Sequence, residues 1–189
     1  MKTVYDMHYR DAHYFGDPYP GLVEFFRAHE PKGKVLDLGC GQGRDALFLT
    51  QLGYQVHGVD HSVVGLDQLQ FEAGHLGVQV TTELADAYTY PIPEEVDMVL
   101  LDSMLHFYKN DLEVETAFVN HVLDGLRPGG FFVNCIVAGK KREKTLKKIL
   151  GDHTYDWQVV HEAYVDYQGP EDFQATYHLY VVSKGKRDE

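Results

Sequence analysis

Glycine recurs at every second position of the segment VLDLGCGQG, namely at Gly39, Gly41 and Gly43. Glycine has no Cβ and tolerates positive φ, so a ligand can approach the backbone of such a loop closely. Asp60 follows 21 residues after Gly39, at a spacing where a carboxylate can accept hydrogen bonds from both hydroxyls of a ribose. The glycine loop and the distant acid together predict a site for a nucleoside.

An acid within this segment indicates the charge of the ligand. Asp37 lies two residues before Gly39, where it would repel a pyrophosphate and attract an ammonium or sulfonium group. The loop also departs from the dinucleotide pattern G-x-G-x-x-G, because Gly43 comes one position early and Arg44 takes the expected place. A nicotinamide-dependent oxidoreductase is therefore disfavoured, and a cationic nucleoside is favoured.

The elements that must position these residues alternate between strand and helix from residue 33 to residue 150. Apolar runs at 34–38, 55–59 and 96–101 predict strands, and the leucines between them recur at helical spacing. This alternation predicts a parallel sheet with helices on both faces, and ligands bind at the carboxyl ends of such strands. Two more strand-like runs, 157–165 and 173–182, flank the turn signal DYQGPED and predict an antiparallel hairpin.

Composition and cysteine usage are those of a single globular domain. The chain has 189 residues, of which 44% are hydrophobic. No apolar run approaches the ~18 residues that span a bilayer, and the first residues contain no apolar signal core, so no membrane association and a cytoplasmic location are expected. Cys40 and Cys135 form no disulfide framework, and no metal site is predicted because the cysteines and histidines lack metal-ligand spacing.

The charge balance disfavours a broad nucleic-acid surface. The formal net charge is −12, and an acidic field repels a phosphate backbone. Residues 140–148 differ from the rest of the chain in being positively charged, with six basic side chains and one acidic one. We interpret this segment as the solvated face of a helix, with the alternative that a protein or RNA target docks there.

At the residues described above, the sequence resembles the class I S-adenosylmethionine-dependent methyltransferases. VLDLGCGQG is similar to their first motif, VHGVDHS to the second, LADA to the third, VDMVLLDSMLHF to the fourth, and LRPGG to the turn before their fifth strand. The resemblance covers roughly residues 30–138. HYRDAHYFGDPYPGLVEFF, near the N-terminus, resembles the leader of the subgroup that contains tellurite-resistance and thiopurine methyltransferases.

The resemblance implies an α/β fold, a Rossmann-like three-layer sandwich with a mostly parallel seven-stranded sheet that ends in an antiparallel hairpin. One domain would cover residues 1–189. Within it, residues 1–30 would form an N-terminal cap and helix, residues 31–138 the cofactor-binding core, and residues 139–189 the last helix and the C-terminal hairpin. The implied cofactor is S-adenosylmethionine.

The resemblance also implies roles for the residues of the first two motifs. The loop glycines would lie under the methionine part of the cofactor, namely Gly39, Gly41 and Gly43. Asp37 would lie near the amino group of the methionine part, and Asp60 would bind the ribose hydroxyls.

The remaining implied roles concern the adenine and the methyl group. His61 would border the adenine, Asp86 would accept a hydrogen bond from the adenine amino group, and Ala87 would donate its backbone N–H. Asp102 and its neighbours would face the methyl-donating side. Tyr14, with its neighbour Phe15, would form a lid over the cofactor.

The catalytic residue is the least constrained position, because methyl transfer from a sulfonium depends mainly on holding the two reacting atoms in line. A general base is needed only when the acceptor starts protonated. His106 lies four residues beyond Asp102, so we expect it to begin the segment that lines the acceptor pocket. As a neutral imidazole it could take a proton from the acceptor.

The fourth motif and the acidic charge favour a small-molecule acceptor. The segment Asp102-Ser103-Met104-Leu105 lacks the Asn/Asp-Pro-Pro-Tyr run associated with methylation of planar amino nitrogens, and no Pro-Cys pair exists for cytosine C5 methylation. The alternatives are a protein or RNA methyltransferase that docks its target on residues 140–148, and a module that binds the nucleoside without catalysis. The oligomeric state is not predicted.

Overall fold

The computed structural model describes residues 9, 11, 13–168 and 174–185. Three residues of the N-terminal leader segment lie outside these ranges, namely His8, Arg10 and Ala12, and so does Phe173, where the second hairpin strand was predicted to begin. The helices are α1 (Pro20–Ala28), α2 (Arg44–Gln51), α3 (Val63–Leu76), α4 (Leu112–Gly125) and α5 (Lys140–Asp152). The strands are β1 (Lys34–Leu38), β2 (Gln55–Asp60), β3 (Thr81–Leu84), β4 (Met98–Asp102), β5 (Phe131–Val137), β6 (Trp157–Gln168) and β7 (Gln174–Lys184).

The strands form one seven-stranded sheet in the order β3-β2-β1-β4-β5-β7-β6. The pairs among β1 to β5 are parallel, whereas β7 runs antiparallel to both β5 and β6. The chain leaves β1 toward β2 and β3 and then returns to place β4 on the other side of β1. The strand order therefore reverses between β1 and β4, and ligands bind at such a point in α/β sheets.

Two apolar clusters cover the two faces of the sheet. Helices α1, α2 and α3 pack on one face, where Phe26, Leu49 and Leu69 are fully buried, and α4 and α5 pack on the other, where Phe118 and Leu146 are fully buried. The three-layer α/β sandwich predicted from the sequence is thereby confirmed. No helix in the described part of the chain is long and apolar enough to cross a membrane.

Local sequence sets the ends of the elements that carry the site. Ser62 precedes α3 and its Oγ accepts a hydrogen bond from the backbone N–H of Gly65 at 3.1 Å, while Gly77, at φ +66°, ends the helix. Lys184 at the end of β7 is buried and donates to the carbonyls of Leu123 and Leu126 at 2.7 Å each. The end of the hairpin is thus fastened to the carboxyl-terminal turn of α4.

Candidate active site

A cavity of about 1510 Å³ opens where the strand order reverses, at the carboxyl ends of β1, β2 and β4. Most predicted site residues line this cavity: Tyr14, Asp37, Gly39, Gly41, Asp60, His61, Asp86, Ala87, Asp102 and His106. Small-ligand sites usually occupy ~300–1,000 Å³. The cavity therefore has room for two ligands side by side.

The glycine loop is fixed by the second strand. The carboxylate of Asp60, at the end of β2, accepts hydrogen bonds from the backbone N–H of Gly41 at 2.9 Å and of Ser62 at 2.8 Å. Asp60 is buried but remains at the wall of the cavity. A carboxylate offers about four lone pairs, so two remain for a ligand after these backbone contacts are made.

Gly39 and Gly43 are needed for different reasons. Gly39 has φ +85°, and a Cβ there would collide with Sδ of Met104, which lies beyond the end of β4. Gly43 has φ +83° and precedes α2, and a Cβ there would collide with Leu69 of α3. In the described part of the chain, Gly43 thus packs between two helices and does not line the cavity, in contrast to Gly39 and Gly41.

Asp37 is a buried acid without a full set of partners. Its side chain lies in β1 at the cavity wall, and no described residue gives its Oδ2 a hydrogen bond. Burial raises the pKa of Asp37 well above its usual value, and the nearby carboxylates of Asp45 and Asp102 raise it further. A buried polar atom without a partner is costly, so this oxygen marks a position for a hydrogen-bond donor supplied by a ligand.

A network around Arg44 forms the floor of the cavity. The guanidinium of Arg44, the first residue of α2, pairs with Asp45 at 2.9 Å and with Asp102 at the end of β4. The same guanidinium stacks 4.4 Å above the ring of Tyr19, whose hydroxyl lies 3.1 Å from Oγ of Ser103. Burial raises the pKa of Asp102 to about 7, although the charge of Arg44 opposes this rise.

The residues predicted to contact an adenine follow β2 and β3, on the side of β1 away from β4. His61 is exposed and its Nδ1 lies 3.7 Å from Oδ1 of Asp60. Asp86 begins a tight turn, because its Oδ1 accepts a hydrogen bond from the backbone N–H of Tyr88 at 3.0 Å, and Ala87 is buried beside it. All of these residues line the cavity.

The segment before α1 is hydrogen-bonded to the glycine loop. The backbone N–H of Tyr14 donates to Oε1 of Gln42 at 3.1 Å, and the hydroxyl of Tyr167 in β6 donates to the carbonyl of Phe15 at 2.6 Å. The ring of Tyr14 meets that of Phe15 edge to face, with centroids 5.0 Å apart. Tyr14 and Phe15 both line the cavity, and these hydrogen bonds tie them to the glycine loop and to the C-terminal hairpin.

His106 lies in the segment between β4 and α4 and lines the cavity with its side chain 40% exposed. Its backbone N–H donates to both carboxylate oxygens of the buried Glu115, at 3.0 and 3.1 Å, and the N–H of Phe107 donates to the same carboxylate. Its Nδ1 lies 3.7 Å from Oε1 of Glu115. Glu115 thus fixes the position from which the imidazole faces the cavity.

Sequence reasoning missed the residues that connect the separate motifs. In the sequence, Arg44 stands out only as a departure from the dinucleotide pattern, and Tyr19 only as part of an aromatic leader. Arg44 contacts Asp102, which lies 58 positions away along the chain, and a contact of that range has no local signal. A large cation directly after a glycine loop, followed by an acid in the same turn of helix, is the available hint.

Comparison with known proteins places this geometry among methyltransferases. Residues 35–130 match a family model described as a methyltransferase domain. The chain is 28% identical over 135 residues to the probable S-adenosyl-L-methionine-dependent methyltransferase TehB of Haemophilus influenzae, which covers 71% of this chain and 46% of that protein. It is 32% identical over 121 residues to the cypemycin N-terminal methyltransferase of a Streptomyces species. That alignment covers 62% of this chain and 49% of the relative.

The chain therefore spans about half the length of these two curated relatives. A solved structure from work on the conversion of a disulfide bond into a thioacetal group during echinomycin biosynthesis superposes on all of this chain and on 94% of its own, with a TM-score of 0.78 and 22% identity. That likeness shows the shared fold.

Proposed function

Because the chain belongs to the methyltransferase domain family, which confirms the predicted class of S-adenosylmethionine-dependent methyltransferases, we propose that it binds S-adenosylmethionine and methylates a small molecule. The observation that carries this proposal is the environment of the Asp37 side chain. Its buried carboxylate has an oxygen without a partner among the described residues and borders a loop that ligands can approach closely. A ligand with an ammonium group satisfies that oxygen, and the methionine part of S-adenosylmethionine carries one.

The residues along the cavity fit the rest of this cofactor. Asp60 retains lone pairs for the ribose hydroxyls beyond its contacts with Gly41 and Ser62. Asp86 and Ala87 follow β3, which lies two strands from β1 on the side away from β4 and its Arg44–Asp102 pair, and there they would hold the adenine. The order Asp37, Asp60, Asp86 from β1 to β3 thus follows the order of the three parts of the ligand.

S-adenosylmethionine supplies a methyl group on a positively charged sulfur, and the protein must hold the acceptor in line with it and exclude water. Tyr14 and Phe15 line the cavity and are tied to the glycine loop through Gln42, which supports their proposed role as a roof that excludes water. His106 faces the cavity from a segment held by Glu115, so its imidazole can take a proton from an acceptor that starts protonated.

The charge of the chain supports a small acceptor. The net charge of −12 disfavours a polyanionic target. The acceptor must also fit beneath the roof, which is closed by hydrogen bonds to Gln42 and Tyr167. A small molecule meets both conditions.

One contact favours a second candidate, a protein or RNA acceptor that docks on α5. Nε of Arg142, in the first turn of α5, donates to the carbonyl of His106 at 3.1 Å, so the basic helix is joined to the catalytic segment. Lys140, Lys141 and Lys144 are exposed on this helix. If the target docks there, replacing these three lysines with glutamate abolishes methylation of a macromolecular acceptor and leaves cofactor binding intact.

Calorimetric titration of Asp37→Asn with S-adenosylmethionine tests the main proposal. Loss of one charge-assisted contact, worth ~1.5–3 kcal/mol, should weaken binding about 10- to 150-fold. The variant should also unfold at higher temperature than the wild type, because it removes a buried carboxylate. Asp67→Asn, on the exposed side of α3, is the matched control. Unchanged affinity in a folded Asp37→Asn protein would contradict the assignment.

A further inference from the structure

Side chains of α1 and α2 also line the cavity, and we describe the part of the cavity between these two helices as a groove. We define this groove by three side chains on each side: Tyr19, Val23 and Arg27 before and along α1, and Arg44, Phe48 and Gln51 on α2. The spacing within each set is three or four residues, so each set forms one stripe along its helix. Both helices have their N-terminal ends at the Arg44 network, so the two stripes face each other along their length.

Two stacking contacts mark the ends of the groove. At the inner end, Arg44 of α2 lies over the ring of Tyr19 at 4.4 Å. At the outer end, Arg27 of α1 lies over the ring of Phe48 at 6.0 Å. Eight residues separate Tyr19 from Arg27, which corresponds to a length of about 12 Å at the helical rise of 1.5 Å per residue.

We propose that this groove binds the methyl acceptor, and that the acceptor is an elongated molecule with a flat apolar body and an anionic group at its far end. The proposal rests on the proposed function, since it assigns a substrate class to the same cavity. The acceptor atom would lie at the inner end, because Arg44 at that end pairs with Asp102, which lines the cavity beside Asp37 and Gly39.

The chemistry of the groove changes along its length. In the middle, the half-buried Val23 and the buried Leu47 face the cavity, and the ring of Phe48 follows. These side chains suit an aromatic or hydrocarbon body.

The outer end suits an anion. Arg27 is exposed, and no carboxylate of the described residues lies within ion-pair distance of its guanidinium. This sets it apart from Arg44, whose charge is already shared with Asp45 and Asp102. A carboxylate or sulfonate at the far end of the acceptor would be complementary to Arg27.

Two dyes with the same aromatic body test this assignment. 8-Anilinonaphthalene-1-sulfonate carries an anionic group, and N-phenyl-1-naphthylamine lacks it. Fluorescence titrations use the full chain, with and without saturating S-adenosylhomocysteine. We expect Arg27→Gln to weaken binding of the sulfonate dye about three- to five-fold, as for a partly exposed ion pair, and to leave the neutral dye unchanged. Phe48→Ala should weaken both dyes.

The controls separate the groove from the remaining surface. Glu24→Gln lies on the same helix as Arg27 but outside the cavity, and Phe71→Ala removes an aromatic side chain that is 63% exposed on α3. Neither should change the binding of either dye. Equal effects of Arg27→Gln and Glu24→Gln, or loss of binding in Phe71→Ala alone, would overturn the groove assignment.

Titrations in the presence of the nucleosides distinguish the groove assignment from the proposed function. Both dyes should remain bound when S-adenosylhomocysteine is present, and displacement by that nucleoside would place them in the cofactor region and overturn the assignment. A calorimetric titration of the same samples with S-adenosylmethionine reports separately on the proposed function. Failure of that titration with intact dye binding would refute the function and leave the groove as a site for amphipathic anions.

Discussion

Glu115 of α4 accepts two hydrogen bonds from the backbone N–H of His106, at 3.0 and 3.1 Å to its two oxygens. Its carboxylate is buried and also accepts from the N–H of Phe107. Phe107 has φ +50°, a conformation that side-chain-bearing residues rarely adopt. The carboxylate therefore holds the segment after β4 in a strained shape that turns the His106 imidazole toward the cavity.

We predict that Glu115→Gln lowers the free energy of unfolding by about 1–3 kcal/mol, because a glutamine has one acceptor oxygen and leaves buried N–H groups unpaired. Chemical denaturation measures this change. Glu113→Gln, an exposed residue in the same first turn of α4, is the control and should change stability by less than about 0.5 kcal/mol. Equal stability of the two variants would contradict a holding role for Glu115.

His106→Ala should retain the affinity for S-adenosylmethionine and lower turnover on an acceptor that starts protonated. The side chain lines the cavity, whereas the backbone contacts with Glu115 do not depend on it. A general base typically contributes ~10²–10⁴-fold to rate. The measurement is kcat with a protonated acceptor beside the affinity from calorimetry. Undiminished turnover would make His106 a structural residue.

Asp60→Ala should weaken binding of S-adenosylmethionine by about 2–4 kcal/mol, because each hydrogen bond of a charged group is worth ~1.5–3 kcal/mol and two bonds to one ribose are less than additive. The variant also frees the N–H groups of Gly41 and Ser62, so it should unfold at lower temperature. Calorimetry and a thermal melt give the two quantities. The ribose assignment fails if a folded variant binds as tightly as the wild type.

The pH dependence of cofactor discrimination reports on Asp102. Burial raises its pKa to about 7, so raising the pH from about 6 to about 8 adds a negative charge to the cavity. S-adenosylmethionine carries one more positive charge than S-adenosylhomocysteine. Its affinity relative to that product should therefore rise with pH, by about three- to ten-fold for a shift of ~1 kcal/mol. Asp102→Asn should flatten this pH dependence, with Asp37, whose pKa is also raised, as the remaining contributor, and an unchanged slope would exclude Asp102 as a source.

The carboxyl group of Asp102 also makes the stability of the protein depend on pH. Its pKa is raised in the folded protein from 3.8 to about 7, so between these values the folded state holds a proton that the unfolded chain has lost. The stabilisation due to this proton is fully present below about pH 4 and decreases as the pH rises through about 7. We predict that the free energy of unfolding, measured by chemical denaturation at pH 5 and pH 8, differs less between the two pH values in Asp102→Asn than in the wild type.

The fold could be predicted because its signals are local. Strands β1 and β2 are short, largely apolar runs, and the helices repeat apolar residues at the helical period of about 3.6 residues. The ends of the hairpin could not be predicted so well. The sequence predicts that Tyr167 and Gln168 belong to a turn, and this prediction is wrong, because they continue β6 by pairing with Ala175 and Gln174. Polar and aromatic residues are tolerated there because β6 is an edge strand.

In the candidate site, too, the features with local sequence signals could be predicted and the contacts that depend on packing could not. Asp37, Asp60 and Asp86 lie near the carboxyl ends of β1, β2 and β3, so their convergence follows from a parallel sheet. The contact of Arg44 with Asp102, and that of Glu115 with His106, depend on how α2 and α4 pack on β4. No periodicity or spacing in the chain encodes those pairs, and the groove between α1 and α2 is likewise a product of packing.

The most direct test of the central claim is calorimetric titration of the wild-type protein with S-adenosylmethionine, S-adenosylhomocysteine and NAD in parallel. We predict micromolar binding of the two sulfur nucleosides, about −8 kcal/mol at 25 °C, and no binding of NAD. Binding of NAD in their place, or of none of the three, would contradict the assignment of the cavity around Asp37 and Asp60.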